Sequence, residues 1–106
     1  MKILISIPGN LDSDTIIEHG DMVKATLSRM GHEVVSDREI YSGKNPTPAD
    51  IVCSRLQELA DCDAIYLCDG WTDSKTCRIE YCFAKEFGKK LIHEADREIS
   101  NHYFSL

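Results

Sequence analysis

The chain has 106 residues, 42% of them hydrophobic and 28% charged, and a net charge of −6. That describes one ordinary globular domain over residues 1–106, able to bury roughly two-thirds of its unfolded surface. No apolar run approaches the ~20 residues that span a bilayer and Met1-Lys2 leads straight into a strand, so no membrane partner and a cytoplasmic location are expected; the acidic balance argues against a nucleic-acid polymer as ligand, although a helix N-terminus can bind one mononucleotide phosphate without net positive charge.

Ile3 to Ile7 is a continuous apolar run, the pattern of a strand buried on both faces, and Pro8-Gly9-Asn10 ends it. Ser13 or Asp14 can cap a helix from about Thr15 to Met30, with Ile16, Ile17, Met22, Val23 and Leu27 as its apolar positions. Gly20 weakens that helix and Gly31 ends it. Glu33 to Ser36 reads as a second strand, followed by a polar loop over 37–46. Thr47-Pro48-Ala49-Asp50 has the form of a capping box with proline at the first helical position. The helix it starts runs to about Ala60 and buries Ile51, Val52, Leu56 and Leu59. Ala64 to Cys68 is a third apolar strand, and a polar loop, Asp69 to Ser74, leads into a helix over Lys75 to Phe87. Gly88 stops it, and Lys90 to His93 is the fourth strand. The tail from Glu94 has no firm pattern, though Tyr103, Phe104 and Leu106 suggest packing.

Alternating strands and helices imply a parallel sheet covered on both faces, a flavodoxin/Rossmann-like three-layer α/β sandwich of four or five strands. Right-handed crossovers favour the order 2-1-3-4, with strand 1 central. Ligands of such sheets bind at the carboxyl ends of the strands beside the switch point, here between strands 1 and 3. The loops that converge there are Pro8 to Asp14 and Asp69 to Ser74.

Glu80 lies at the same edge. On the Lys75–Phe87 helix, Ile79, Phe83, Phe87, Ala84, Cys77 and Tyr81 form one apolar arc, and Glu80 falls close to its middle. An ionised carboxylate there is costly without partners, and none of its helix neighbours is a cation. It is read either as a carboxylate tied by hydrogen bonds or by a Lys or Arg from another element, or as a poised nucleophile or base. Ser74 is a helix cap or a phosphate donor, Asp69 a turn aspartate or a ligand for a sugar hydroxyl, and Trp71 a stacking wall or packing over the strand ends. Arg78, far around the helix from Glu80, is expected to be solvated.

The five cysteines are odd in number, contain no CxxC pair and match no zinc spacing, and the four histidines are scattered. Reduced core thiols explain them, so no metal and no cofactor is expected.

The run Cys62 to Ile92, with KILIS at the start and Gly31 to Val35, resembles the nucleoside 2-deoxyribosyltransferase-like superfamily, and more closely a small bacterial and phage branch of undefined function. The resemblance implies that Glu80 matches the nucleophile that forms a glycosyl-enzyme intermediate. It implies that Ser74 matches the phosphate-binding serine of deoxynucleoside 5′-monophosphate N-glycosidases, where the transferases carry aspartate. Ser6-Ile7-Pro8-Gly9 resembles the substrate loop of those hydrolases. Three residues depart from the pattern: Leu4 replaces a tyrosine that hydrogen-bonds the glutamate, Arg55 replaces a helical aspartate that assists the base, and Ile7 replaces a glycine.

The leading expectation is an N-glycosidic-bond hydrolase, or a deoxyribosyltransferase, acting on a nucleoside or nucleoside 5′-monophosphate. Glu80 would be catalytic, and Ser6, Pro8, Gly9, Asn10, Asp69, Trp71 and Ser74 would bind substrate. Glu80 is expected to line a pocket between the two loops with no Lys or Arg bridging to it. The alternative is a non-catalytic nucleotide-binding or interaction module on the same fold, favoured by Leu4 and Arg55. A flavodoxin-type flavin binder is the weaker third, because the first loop lacks a Ser/Thr-rich cradle. A homodimer is expected, since helices on so small a sheet have little cover.

Overall fold

The computed structural model describes residues 1–9, 11–35 and 47–95. Within them lie β1 (Lys2–Ser6), α1 (Ser13–Arg29), β2 (Glu33–Val35), α2 (Pro48–Ala60), β3 (Ala64–Leu67), a 3-10 turn (Trp71–Asp73), α3 (Lys75–Glu86) and β4 (Lys90–His93). All strand pairs are parallel, and the sheet order is β2-β1-β3-β4. The chain is thus a Rossmann-like α/β protein with β1 and β3 central, as the uninterrupted apolar strands predict. Asn10, the 37–46 loop and the tail carrying Tyr103, Phe104 and Leu106 lie outside the described residues.

Side-chain parity divides the core. Ile3 and Ile5 of β1 pack with Val23 and Leu27 of α1, Val34, Ala64, Tyr66 and Cys68 on one face. Leu4 packs with Val35, Leu59 of α2, Ile65, Leu67 and Ala84 of α3 on the other. Burial on both faces is why the central strands β1 and β3 do not alternate in polarity.

The local signals are mostly where the chain puts them, with two corrections. The N-cap of α1 is Asp12, not Ser13 or Asp14: its carboxylate accepts from the Thr15 amide at 2.8 Å. Ile17 and Met22 are exposed rather than packed, because the helix meets the sheet along Val23 and Leu27. Gly20 has a structural reason: a Cβ there would stand 3.0 Å from the Ile7 side chain, so the glycine lets the end of β1 and the helix approach. The capping box of α2 forms as expected, Thr47 and Asp50 each accepting from the other's amide.

Candidate functional site

At the carboxyl edge of the sheet, the loop after β1 and the loop after β3 meet. Pro8 is buried, and a Cβ on Gly70 would lie 3.6 Å from the Pro8 ring. Gly70 has φ 87, a left-handed conformation that suits glycine and turns the chain into the 3-10 segment. Gly9 is exposed beside them.

Glu80 lies behind these loops and is only 1% exposed. Its Oε1 accepts from the Ser6 hydroxyl at 2.6 Å and from Arg55 Nη2 at 3.2 Å, and its Oε2 accepts from Arg55 Nε. Arg55, itself 5% exposed, also donates from Nη2 to the Ile5 carbonyl at 2.8 Å. One guanidinium therefore ties α2 to α3 and to the last residues of β1. This corrects the expectation that no Lys or Arg reaches Glu80. A buried carboxylate needs a compensating charge, and Arg55 on the neighbouring helix supplies it in a forked geometry.

The arc on α3 is also shifted. Cys77, Glu80 and Ala84 are the buried positions, whereas Ile79 and Phe87 are exposed at 39% and 67%. The buried stripe runs through Glu80, so the carboxylate faces α2 and β1 rather than the rim of the helix.

The remaining predicted site residues divide by role. Ser6 is a direct partner of Glu80. Ser74, buried, is the N-cap of α3, its hydroxyl 3.4 Å from the Cys77 amide and 3.2 Å from the Thr76 hydroxyl. Trp71 is half-buried, with ring centroids 4.6 Å from Tyr81 and 5.8 Å from His93, and it packs on the α2–α3 core. Asp69 is exposed, and its amide donates to Glu94 at 3.1 Å. Arg78 is exposed, as expected, and donates to the Thr72 carbonyl.

Two buried polar residues escaped sequence reasoning. Arg55 was seen only as a departure from a family pattern, although Ile51 and Leu59 stand one helical turn to either side of it and Val52 beside them. The arc argument used for Glu80 would have marked it. Glu94 is 5% exposed on the opposite face of the sheet. His19 Nε2 stands 2.6 Å from its Oε2, and the Tyr66 hydroxyl donates to the same oxygen at 3.3 Å. Cys68 Sγ is nearby. Burial, then the Glu94 charge, push that thiol well above the usual thiol range. All five cysteines are free, and burial pushes the Cys62 thiol up to about 11.

The fold and this edge define a class: a doubly wound α/β protein with a buried, arginine-paired carboxylate at its topological switch point. Within that class the chain belongs to the family described as Domain of unknown function (DUF4406), which it matches over residues 7–93. No curated protein matches the chain. No helix among the described residues is long and apolar enough to cross a membrane.

Proposed function

We propose that the chain is a non-catalytic nucleotide-binding module, taking a nucleoside or nucleoside 5′-monophosphate at the β1–β3 switch point, with Glu80 as an internal positioning group. The observation that carries this reading is the Arg55–Glu80–Ser6 cluster. A glycosidic nucleophile must present a carboxylate oxygen to an anomeric carbon. Here both oxygens accept hydrogen bonds, one of them from two donors, and the group is closed off from water. The ligand assignment rests on the resemblance to the nucleoside 2-deoxyribosyltransferase-like superfamily and on the meeting of the Pro8 and Gly70 loops at the edge where such sheets bind ligands.

A second reading keeps the N-glycosidic-bond hydrolase. It is favoured by the position of Glu80 in the second turn of a helix whose N-terminus faces the same edge. It requires the Arg55 guanidinium to leave at least one carboxylate oxygen when substrate binds. A homodimer belongs to either reading, supported by Ile79, exposed on α3, and Phe87, exposed at its C-cap.

Titration with a panel of nucleosides and 5′-monophosphates separates the readings, with the rise in melting temperature reporting binding and chromatography reporting free base. Stabilisation without base release is the expected result. Base release that disappears in Glu80→Gln would establish the second reading. Neither binding nor release across the panel would overturn the nucleotide assignment itself.

A further inference from the structure

We propose that His19, Cys68 and Glu94 form a binding site for a divalent transition-metal ion of the zinc class, on the α1 face of the sheet and separate from the Glu80 cluster. The three residues come from three elements. His19 lies in α1, Cys68 directly follows β3, and Glu94 directly follows β4. Their donor atoms all lie within 4.8 Å of one another.

The donor set is an imidazole nitrogen, a thiol sulfur and a carboxylate oxygen, the three ligand types of protein-bound zinc. Two atoms bound to one tetrahedral zinc stand roughly 3.3–3.6 Å apart. His19 Nε2 and Glu94 Oε2, now 2.6 Å apart, would open by less than about 1 Å, and the sulfur, within 4.8 Å of both ligand atoms, would close by no more than about 1.5 Å. The His19 side chain is only half-buried, which leaves it the freer of the two partners for the first movement.

The surroundings support the same ion. Glu94 Oε1 accepts from the Asp69 amide and Oε2 from the Tyr66 hydroxyl, so the carboxylate is already oriented by groups outside the donor set, as metal-bound carboxylates are. Charge also balances: a dication with one thiolate, one carboxylate and a neutral imidazole is neutral, which suits Cys68 at 1% and Glu94 at 5% exposure. On binding, the metal–sulfur bond replaces the Cys68 S–H bond and that proton goes to water. His19 Nε2 likewise gives up the hydrogen that now meets Glu94 Oε2, so that the imidazole binds through Nε2 as the neutral Nδ1–H tautomer. Nothing is oxidised or reduced, and a water completes the fourth position. The competing account is a His19–Glu94 ion pair that ties α1 to the end of β4, with Cys68 as an ordinary core thiol.

The test is titration of the reduced full chain with Co²⁺ as spectroscopic probe and Zn²⁺ as competitor. One equivalent of Co²⁺ is expected, with a sulfur-to-cobalt charge-transfer band and intense visible bands of four-coordination, all bleached by Zn²⁺. Cys68→Ser should remove the charge-transfer band. His19→Gln and Glu94→Gln should weaken binding about tenfold or more. Cys77→Ser and the exposed-site variants Cys53→Ser and Cys82→Ser should leave the spectrum unchanged. A band that survives in Cys68→Ser, or cobalt bound without any sulfur band, would overturn the site. Should Cys68→Ser fail to fold by circular dichroism, His19→Gln at its half-exposed position decides: unchanged affinity there refutes the assignment.

Discussion

Removing the Glu80 carboxylate and the Arg55 guanidinium from water costs several kcal/mol for each ion, and their mutual hydrogen bonds offset it. Breaking the pair from one side leaves the other charge buried alone. Glu80→Leu or Arg55→Met is therefore expected to lower stability by about 3–5 kcal/mol in denaturant titration. Replacing both at once should recover most of that loss, because two apolar side chains of similar size leave no uncompensated charge. Additive losses in the double variant would contradict the pairing. Ser6→Ala removes one charged hydrogen bond and should cost about 1.5–3 kcal/mol. At this scale the sequence was half legible. Glu80 announced itself by standing in an apolar arc, but its partner is 25 positions away on another helix, where no local spacing rule operates. The proximity of His19, Cys68 and Glu94 was unreadable for the same reason: spacings within one element say nothing about side chains that the sheet gathers from three.

Among elements, the contact of α1 with the end of β1 turns on one atom. A Cβ at Gly20 would meet Ile7 Cδ1 at 3.0 Å, tight enough that the isoleucine must give way. Gly20→Ala alone should then fall short of the 0.5–1 kcal/mol that alanine ordinarily gains in a helix. In an Ile7→Val background, which lacks that carbon, the full gain is expected, and a cycle of the four proteins measures the coupling. The capping box of α2 gives a pH dependence. The Thr47 amide, then its hydroxyl, hold the Asp50 carboxyl below its ordinary value of 3.8. A carboxyl with a lowered folded pKa adds stability above its unfolded pKa and loses it as pH falls through the folded one. The difference in melting temperature between wild type and Asp50→Ala should be complete at neutral pH and close in acid. A difference that grows with acid would contradict the cap. Thr47, Pro48 and Asp50 made this helix start readable from sequence, since a capping box is local chemistry. The cap of α1 was misplaced by a residue or two because Asp12, Ser13 and Asp14 are all competent caps and only the direction of chain entry selects among them.

For the molecule as a whole, the sheet order was readable because the two central strands, covered on both faces, are apolar runs, and crossover chirality leaves few arrangements of four parallel strands around them. The extent of exposed surface was less readable: periodicity places Ile79 and Phe87 near an apolar arc but does not say which arc the sheet covers. In the proposed homodimer these side chains are buried by a second copy. Light scattering is expected to give a dimeric mass for wild type and a smaller mass for Phe87→Glu, whereas a monomeric wild type would contradict it. The account rests most heavily on Glu80 as a paired internal carboxylate rather than a nucleophile. Its most direct test is release of free base from nucleosides and 5′-monophosphates by wild type and Glu80→Gln, with melting temperature read on the same samples. The expected result is no base release by either protein and a lowered melting temperature in the variant; base release by wild type that vanishes in a variant of unchanged melting temperature would contradict it.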